Sequence, residues 1–547
     1  MKIITTVVII ILVYLLILFE RRMNIKKLHT KIREQFGKKP IKRKYKWKNI
    51  GYHWKEYKNT ISKDEKIDNI TWNDLEMDKV FSRINNCNSF VGEQILYSIL
   101  HCLPKNSKNR DSLERKVSFF TNNDGEREKI QFLLAGLGKD SRAYYLPKFM
   151  NNLDSHKISG ITIYRIMQIL LVLSVLPAII FQNLNFLFIT VAIFAINMAI
   201  YAIGKFKYEV NMDMLKGIIG VITISTKIAN TKKLSYGDEF VSLGRKAKTF
   251  KKLSKKIGLI QMKKEASYTG DILGLLYDYL IGATLWDFTS YHRILKTLRF
   301  RQDEFMDLYK MIGEVDMAIT IASFRKSLPL YCTPKFTENK GLYMKKIYHP
   351  LIDEPVCNTI ALNNSCIITG SNASGKSTYI KAVAINVILA QNINTCMAEE
   401  LTLPHGQVIT SMAVRDDLMS GESYYIKEIK YLKRIIENLS KDRLVICAID
   451  EILRGTNTEE RIAASAAILR FLHKKNCIVI VASHDIELTQ ILNNIYDNYH
   501  FTEQMKEEDI TFDYKIYQGA SNSKNAIKLL KHIGFPEEII TEAQKRA

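Results

Sequence analysis

From Ser365 the chain reads SCIITGSNASGKSTYIKAVAINVILA. A short apolar strand runs into Gly370-Ser371-Asn372-Ala373-Ser374-Gly375-Lys376-Ser377-Thr378, and an amphipathic helix pattern follows. This is the GxxxxGK(S/T) phosphate loop in the strand–loop–helix setting that it requires. Glycine lets backbone N–H groups turn inward, and a helix amino terminus adds positive potential where phosphates lie. Lys376 would reach the β- and γ-phosphates of ATP, and Ser377 would coordinate Mg2+.

About 70 residues on, Leu444 to Ile449 form a continuous apolar run ending in Asp450-Glu451. Such a run suits a strand buried on both faces of a parallel sheet. Asp450 would serve the Mg2+ shell, and Glu451 would orient and polarise the attacking water. A third apolar run, Cys477 to Ala482, ends in Ser483-His484-Asp485. His484 then falls at a strand carboxyl end, where ligands bind in such sheets, and would sense the γ-phosphate. Between these strands, Ser423 precedes a helix pattern with Ile426, Ile429, Leu432 and Ile436 on one face. Ser423 reads either as the amino-terminal cap or as a residue that presents N–H groups to an anion.

The elements that must carry this chemistry sit in a long and unevenly charged chain. Its 547 residues call for two or more domains, and 47% hydrophobic residues exclude global disorder. The formal charge of +23 is concentrated. Residues 21–48 hold 13 Lys/Arg against one acid, and residues 205–265 hold 15 against 5. Residues 340–547 hold 24 against 25. Each basic stretch follows an uncharged run. Residues 3–19 are long enough, at about 25 Å of helix, for a thin bilayer, and read as an uncleaved anchor rather than a signal peptide. Residues 166–204 contain no charge, and Gln182-Asn183-Leu184-Asn185 divides them into two spans of about 20 residues. A buried soluble hairpin is the alternative, although such helices usually keep a polar face.

Lys148, Lys157, Arg165, Lys205 and Lys207 flank the pair of spans. The positive-inside rule then gives a multi-pass protein of the cell membrane with three spans, its amino terminus outside and residues 336–547 cytoplasmic. The basic stretches beside the spans suit anionic lipid or the phosphates of DNA, and composition does not separate these. Residues 70–150 and 206–330 look helical, with Asp74 to Leu103 read as nearly unbroken. The eight cysteines show no CxxC pair, which favours reduced thiols over zinc or disulfides.

Together these motifs resemble the MutS family of DNA mismatch-repair ATPases, of the ABC ATPase class. TGSNASGKST resembles the family's TGPNMGGKST, and DDLMSGESYYIKEI its DDLxxGxSTFMxEM. IDEILRGTNTEERIAASAAIL, ASHDIELTQIL and GASNSKNAIKLLKHIGFPEEIITEAQ are similar to three further segments, in the family's order, over residues 349–546. No LSGGQ signature of general ABC transporters occurs. Upstream, Asp74 to Pro104 and Ile312 to Arg325 are similar to the start and end of the family's core or lever region. The resemblance implies two ATPase domains that pair and complete each other's sites. Ser423 would touch nucleotide across the homodimer, and Asn372 and His484 would couple the two sites. Val356 would stand where the family often places an aromatic against adenine. Duplex DNA is the implied partner. Mismatch recognition is left open, because no Phe-x-Glu wedge stands in a suitable place.

The expected order is therefore a transmembrane anchor (1–20), a basic juxtamembrane segment (21–60) and a first helical core part (61–158). A transmembrane hairpin (159–204), a second core or lever part (205–335) and an α/β P-loop ATPase domain with a parallel sheet (336–547) follow. An ATP-driven clamp acting on a protein or lipid partner at the membrane is the competing function.

Overall fold

The structure, a computed structural model, describes residues 2–104, 108–231, 237–250, 282–371, 374–412, 424–454, 456–506, 509–521 and 533–546. The chain forms two compact units. One comprises Met1–Thr60, Asn86–Ser98 and Lys116–Ser323, the other Ile61–Asn85, Ile99–Arg115 and Phe324–Ala547. All-helical chain precedes two mixed sheets at the carboxy-terminal end.

In the first unit, α1 (Lys2–Gln35) carries the apolar run 3–19 without a break into the basic stretch. The side chains of most of that run lie outside the described residues. Part of the basic stretch is consumed within the unit. Arg33 forms a two-point ion pair with Glu128, at 3.0 and 3.1 Å. Arg43 pairs with Glu93, a carboxylate buried together with Lys139 at 2.7 Å and the Tyr144 hydroxyl at 2.5 Å. A buried carboxylate needs partners of this kind, because an unpaired charge would be costly to bury.

The expected helix from Asp74 to Leu103 is instead two helices, Met77–Ile84 and α2 (Phe90–Leu100). The apolar positions are all buried as the periodicity required. The break falls on Asn85-Asn86-Cys87-Asn88-Ser89, and a distant residue sets it. Asp316, on the helix Gln302–Lys326, accepts from the backbone N–H groups of Asn88 (2.9 Å) and Ser89 (2.8 Å) and from the Ser89 hydroxyl (2.6 Å). These bonds cap the orphan amides at the start of α2. A Cβ on Gly92 would lie 2.3 Å from the Asp316 carboxylate, so only glycine admits this approach.

The long uncharged run folds as a hairpin of α3 (Ile161–Leu173), the short helix Leu176–Ile180 and the 43-residue α4 (Leu187–Ala229). Its turn is where the polar residues stood. Gln182 takes φ 47°, and the Asn183 side chain accepts from the Asn185 N–H at 3.0 Å. Two stretches, Leu153–Ile180 and Leu184–Lys205, are long and apolar enough to cross a membrane. Within the helices Ser174 and Asn197 are buried and the Thr190 hydroxyl donates to the Ser174 carbonyl at 3.0 Å, while Ile163, Val172, Ile179, Phe188 and Ile203 stand exposed. Three further helices, Gly237–Thr249, Trp286–Arg299 and α5 (Gln302–Lys326), follow in this region.

The second unit holds ten described strands in two sheets. β1 (Lys335–Phe336), β2 (Leu342–Ile347), β3 (Asn358–Leu362) and β5 (Glu400–Leu403) form a four-stranded sheet in the order β1-β5-β2-β3. β4 (Cys366–Thr369), β6 (Gly406–Ser411), β7 (Leu444–Asp450), β8 (Cys477–Ala482), β9 (Asp497–Lys506) and β10 (Asp509–Gln518) form the other, in the order β10-β9-β4-β8-β7-β6. Only β10 runs antiparallel in that six-stranded sheet. The expectation of one parallel sheet is thus enlarged by an antiparallel edge and a second sheet. The opposite edge, β6, is covered by the helix Asn69–Asp74, whose Asp74 accepts from the Thr410 hydroxyl at 2.6 Å and the Met412 N–H at 3.2 Å. Covering an edge removes a template for unwanted strand pairing.

His53, buried in the first unit and hydrogen-bonded to Ser98 at 2.7 Å, is held down to about 4 by burial and by Lys310. Its unfolded counterpart titrates near 6.5, so the stabilisation is complete above that pH and is lost as pH falls toward 4. Urea unfolding of the detergent-solubilised chain should show His53→Gln flattening the acid loss by about 3 kcal/mol between pH 6.5 and 4.

Candidate nucleotide site

Three adjacent parallel strands end together. Ile368 on β4 and Asp450 on β7 both stand opposite Ala482 on β8. β8 therefore lies between the strand of the phosphate loop and the strand of the acidic pair, and delivers His484 into the gap. The Ser483 N–H donates to the Ile368 carbonyl at 3.0 Å and the Glu451 N–H to the Ala482 carbonyl at 3.1 Å, which continues the pairing beyond the strand ends.

The phosphate loop bends at Gly370 (φ 141°) and Gly375 (φ 104°). A Cβ on Gly370 would meet the Phe501 carbonyl at 2.7 Å. Gly375 caps α6 (Lys376–Ile393), whose first amides open toward the exposed Ser377 and Thr378. Lys376 is only 5% exposed. Its ammonium donates to the carbonyls of Gly370 (2.6 Å) and Ser371 (2.8 Å), and burial pulls it down to about 8 against the opposing pull of Asp450. Ser371 hydrogen-bonds Glu503 on β9. Ser374 is buried, with its hydroxyl unpartnered among the described residues.

Asp450 is 6% exposed, and its Oδ1 finds no hydrogen-bond partner among the described residues. A buried carboxylate oxygen left bare beside an ammonium and a serine-bearing helix start suits a hard cation such as Mg2+. Glu451 adopts φ 63°, a left-handed backbone that costs a non-glycine residue energy and recurs at functional sites. Its Oε1 meets His484 Nε2 at 2.9 Å, and its other oxygen pairs with Arg454. Burial, Lys376 and Arg454 lower the His484 pKa, so the neutral ring donates Nε2–H to the carboxylate.

A cavity of about 530 Å3 joins these groups. Ser371, Gly375, Lys376, Ser377, Thr378 and Glu451 line its inner end, and Val356 is on its wall. Gly370, Ser374, Asp450 and His484 are not among its lining residues. Asn372, Ala373 and Ser423 lie outside the described residues. The expected apolar face of α7 (Tyr424–Glu437) is only partly inward. Leu432 and Ile435 are buried, whereas Ile426, Ile429 and Ile436 point to solvent.

Several cavity residues escaped the sequence reading, Arg454, Phe501 and Tyr514 among them. Arg454, three residues beyond Glu451, was legible from that spacing. Phe501 and Tyr514 had no such signal. Tyr514 sits at φ 54° in a bulge of β10, between Phe512 and Ile516. The Asn358 amide stitches this bulge to β3, donating to the Tyr514 carbonyl and accepting from the Ile516 N–H, both at 2.9 Å. The Tyr514 ring is thereby held over Gly375, where an added Cβ would come within 3.2 Å of it.

Residues 366–547 match the family model MutS domain V. The chain is 31% identical over 276 residues to the "MutS protein homolog 4" of Homo sapiens, which covers 47% of this chain and 29% of that protein. It is 30% identical over 251 residues to the "DNA mismatch repair protein MutS" of Streptococcus suis, covering 44% and 29%. With Pseudothermotoga lettingae MutS the figures are 30% over 267 residues, 47% and 32%. The chain thus spans about three tenths of the length of these curated relatives.

Asn358→Ala leaves two backbone groups of the bulge without their partner, which should cost about 1–3 kcal/mol. Thermal unfolding of the full chain should show the loss, and Asn358→Asp, which keeps an acceptor for the Ile516 N–H, should recover part of it.

Proposed function

We propose that this chain is a membrane-anchored, MutS-like ATPase that binds and hydrolyses ATP as a homodimer and engages duplex DNA. The observation that carries the reading is the meeting of a buried lysine, an aspartate oxygen that is unpartnered among the described residues and a glutamate held by histidine on the carboxyl ends of three parallel strands, with the lysine and the glutamate lining one cavity. Strand carboxyl ends are where open α/β sheets take ligands.

In this reading the backbone of Gly370 to Gly375 and the start of α6, with Ser377 and Thr378, receive the phosphates. Lys376 exchanges its loop carbonyls for β- and γ-phosphate oxygens. Ser377 and Asp450 hold Mg2+, which when bound supplies positive charge against those oxygens. Glu451 takes the proton of the attacking water. His484 keeps that carboxylate oriented and responds to the γ-phosphate, while Arg454 balances its charge. Val356 and Tyr514 flank the mouth, and the Tyr514 ring supplies an aromatic face for the base that Val356 lacks. Ser423 touches nucleotide across the homodimer, and Asn372 couples the two sites with His484. The exposed Ile426, Ile429 and Ile436 on α7, immediately after Ser423, give that pairing an apolar surface to bury.

The hairpin supports the membrane half of the proposal, because its exposed isoleucines, valines and phenylalanines have no favourable place in water. The chain is placed in the cell membrane with three spans, the amino terminus outside and the ATPase part cytoplasmic, and anionic lipid meets the basic juxtamembrane residues that are not paired internally. A second reading, a clamp on a protein or lipid partner, draws on the near-neutral charge of residues 340–547.

Lys376→Ala should abolish turnover by the detergent-solubilised chain. Glu451→Gln should retain ATP and slow hydrolysis by about 100-fold or more. Equal loss of ATP binding in the glutamine variant would remove Glu451 from the role of base. ATPase stimulation by duplex DNA should fall steeply across a rising salt series. Stimulation by anionic liposomes alone selects the second reading.

A further inference from the structure

The cysteines are scattered in sequence, yet two of them meet in the second unit. Cys332, just before β1, and Cys396, between α6 and β5, form an isolated antiparallel bridge. Each N–H donates to the other's carbonyl, at 3.0 and 2.9 Å. A pair that exchanges both bonds keeps its Cα atoms about 5.5 Å apart, within the roughly 4.4–6.8 Å that a disulfide spans. Side chains at such hydrogen-bonded positions converge less than at the alternate positions, so a bond there is strained and readily reduced.

The two thiols differ in environment. Cys332 is partly exposed and Cys396 fully buried. A hydrogen bond from the Cys396 thiol, aided by the Leu401 backbone N–H and more weakly by Lys335, holds Cys332 below the usual thiol range against its partial burial. Burial pushes Cys396 well above it. One sulfur is thus an accessible nucleophile and the other a resolving thiol directly beneath. Cys447 and Cys477 also touch, but Cys447 is buried in a central strand and the Cys477 thiol donates to the Leu472 carbonyl at 3.0 Å.

The surroundings give the pair a mechanical place. Arg325, at the end of α5, donates to the Thr395 hydroxyl (3.0 Å), the Asn394 carbonyl (2.8 Å) and both oxygens of Glu114 (2.6 and 2.7 Å). The segment leaving α5 and the segment leaving α6 are therefore already joined non-covalently, next to the two cysteines.

We infer that Cys332 and Cys396 are a reversible thiol–disulfide pair that fastens the segment after α5 to the end of the phosphate-loop helix. The oxidant is a small-molecule disulfide. The Cys332 thiolate attacks one of its sulfurs, forming a mixed disulfide and releasing one thiolate. The Cys396 sulfur then attacks Cys332 Sγ and expels the second thiolate, which takes up the Cys396 proton. Two protein thiols are oxidised, and one small disulfide is reduced to two thiols. An external dithiol reverses the sequence.

The full chain in detergent is incubated with oxidised glutathione, quenched, denatured and labelled with a mass-tagged maleimide. Of its eight cysteines, wild type should lose two to labelling, yield a cross-linked peptide pair containing Cys332 and Cys396, gain thermal stability and recover all eight thiols with dithiothreitol. Cys332→Ser should lose neither. Cys396→Ala should stop at a glutathione adduct on Cys332. Eight labelled thiols in oxidised wild type, a persistent adduct on Cys332 there, or a cross-link through Cys447 and Cys477 would each overturn the inference. The readout needs no nucleotide and so stands apart from the proposed ATPase activity.

Discussion

Everything at the carboxyl end of the six-stranded sheet is arranged around the burial of one ammonium group. Lys376 loses most of its water, and its proton is retained only because the Gly370 and Ser371 carbonyls and the field of Asp450 replace that water. The carbonyls can point at the ammonium only if the loop bends through backbone angles that favour glycine, at residues 370 and 375. The field of Asp450 reaches it only if β7 ends level with β4, and the intervening β8 sets that register. Sequence, strand order and charge are one constraint here. Moving any strand by a residue would separate charges that are tolerable only near one another.

The acidic pair divides the labour by exposure to partners. Asp450 keeps a bare buried oxygen, while Glu451, one residue on, is saturated by His484 and Arg454. Consecutive residues on an ordinary strand face opposite ways; the left-handed backbone at Glu451 ends the strand and redirects its side chain toward the cavity. Lowering the His484 pKa completes the arrangement, because a neutral imidazole can donate to the carboxylate without adding a further full charge beside Lys376 and Arg454.

Local signals made the phosphate loop, the three strand ends and the hairpin turn readable, because each depends on residues within about ten positions of one another. What escaped depends on distant residues. The helix break at 85–89 is a polar cluster visible in the sequence, but its cap, Asp316, lies more than two hundred residues away. Tyr514 belongs to an alternating strand pattern that would send it elsewhere, and only the Asn358 bridge to another sheet explains its bulge. Ile426, Ile429 and Ile436 of α7 obey helical periodicity and still face outward, while Ile435 is buried. Periodicity shows that an apolar stripe exists, and tertiary packing decides which stripe is covered. The Cys332–Cys396 bridge was invisible for the same reason, since 64 positions separate two residues that the fold makes neighbours.

The helical unit presents the complementary problem. Glu93 and Asp316 are buried carboxylates, and each is surrounded by donors from segments remote in sequence. Such nodes contribute little net stability compared with apolar packing, but they penalise any other arrangement of the same helices by leaving a buried charge or amide unpaired. Because Arg43 comes from the basic segment after α1 and Lys139 from the chain leading to the hairpin, the Glu93 node ties together the flanks of both apolar regions. A bilayer would restrain those regions from outside, and this node restrains their flanks from within. Two arginines of the basic stretch, Arg33 and Arg43, are committed to Glu128 and Glu93 and fix helix positions within the unit.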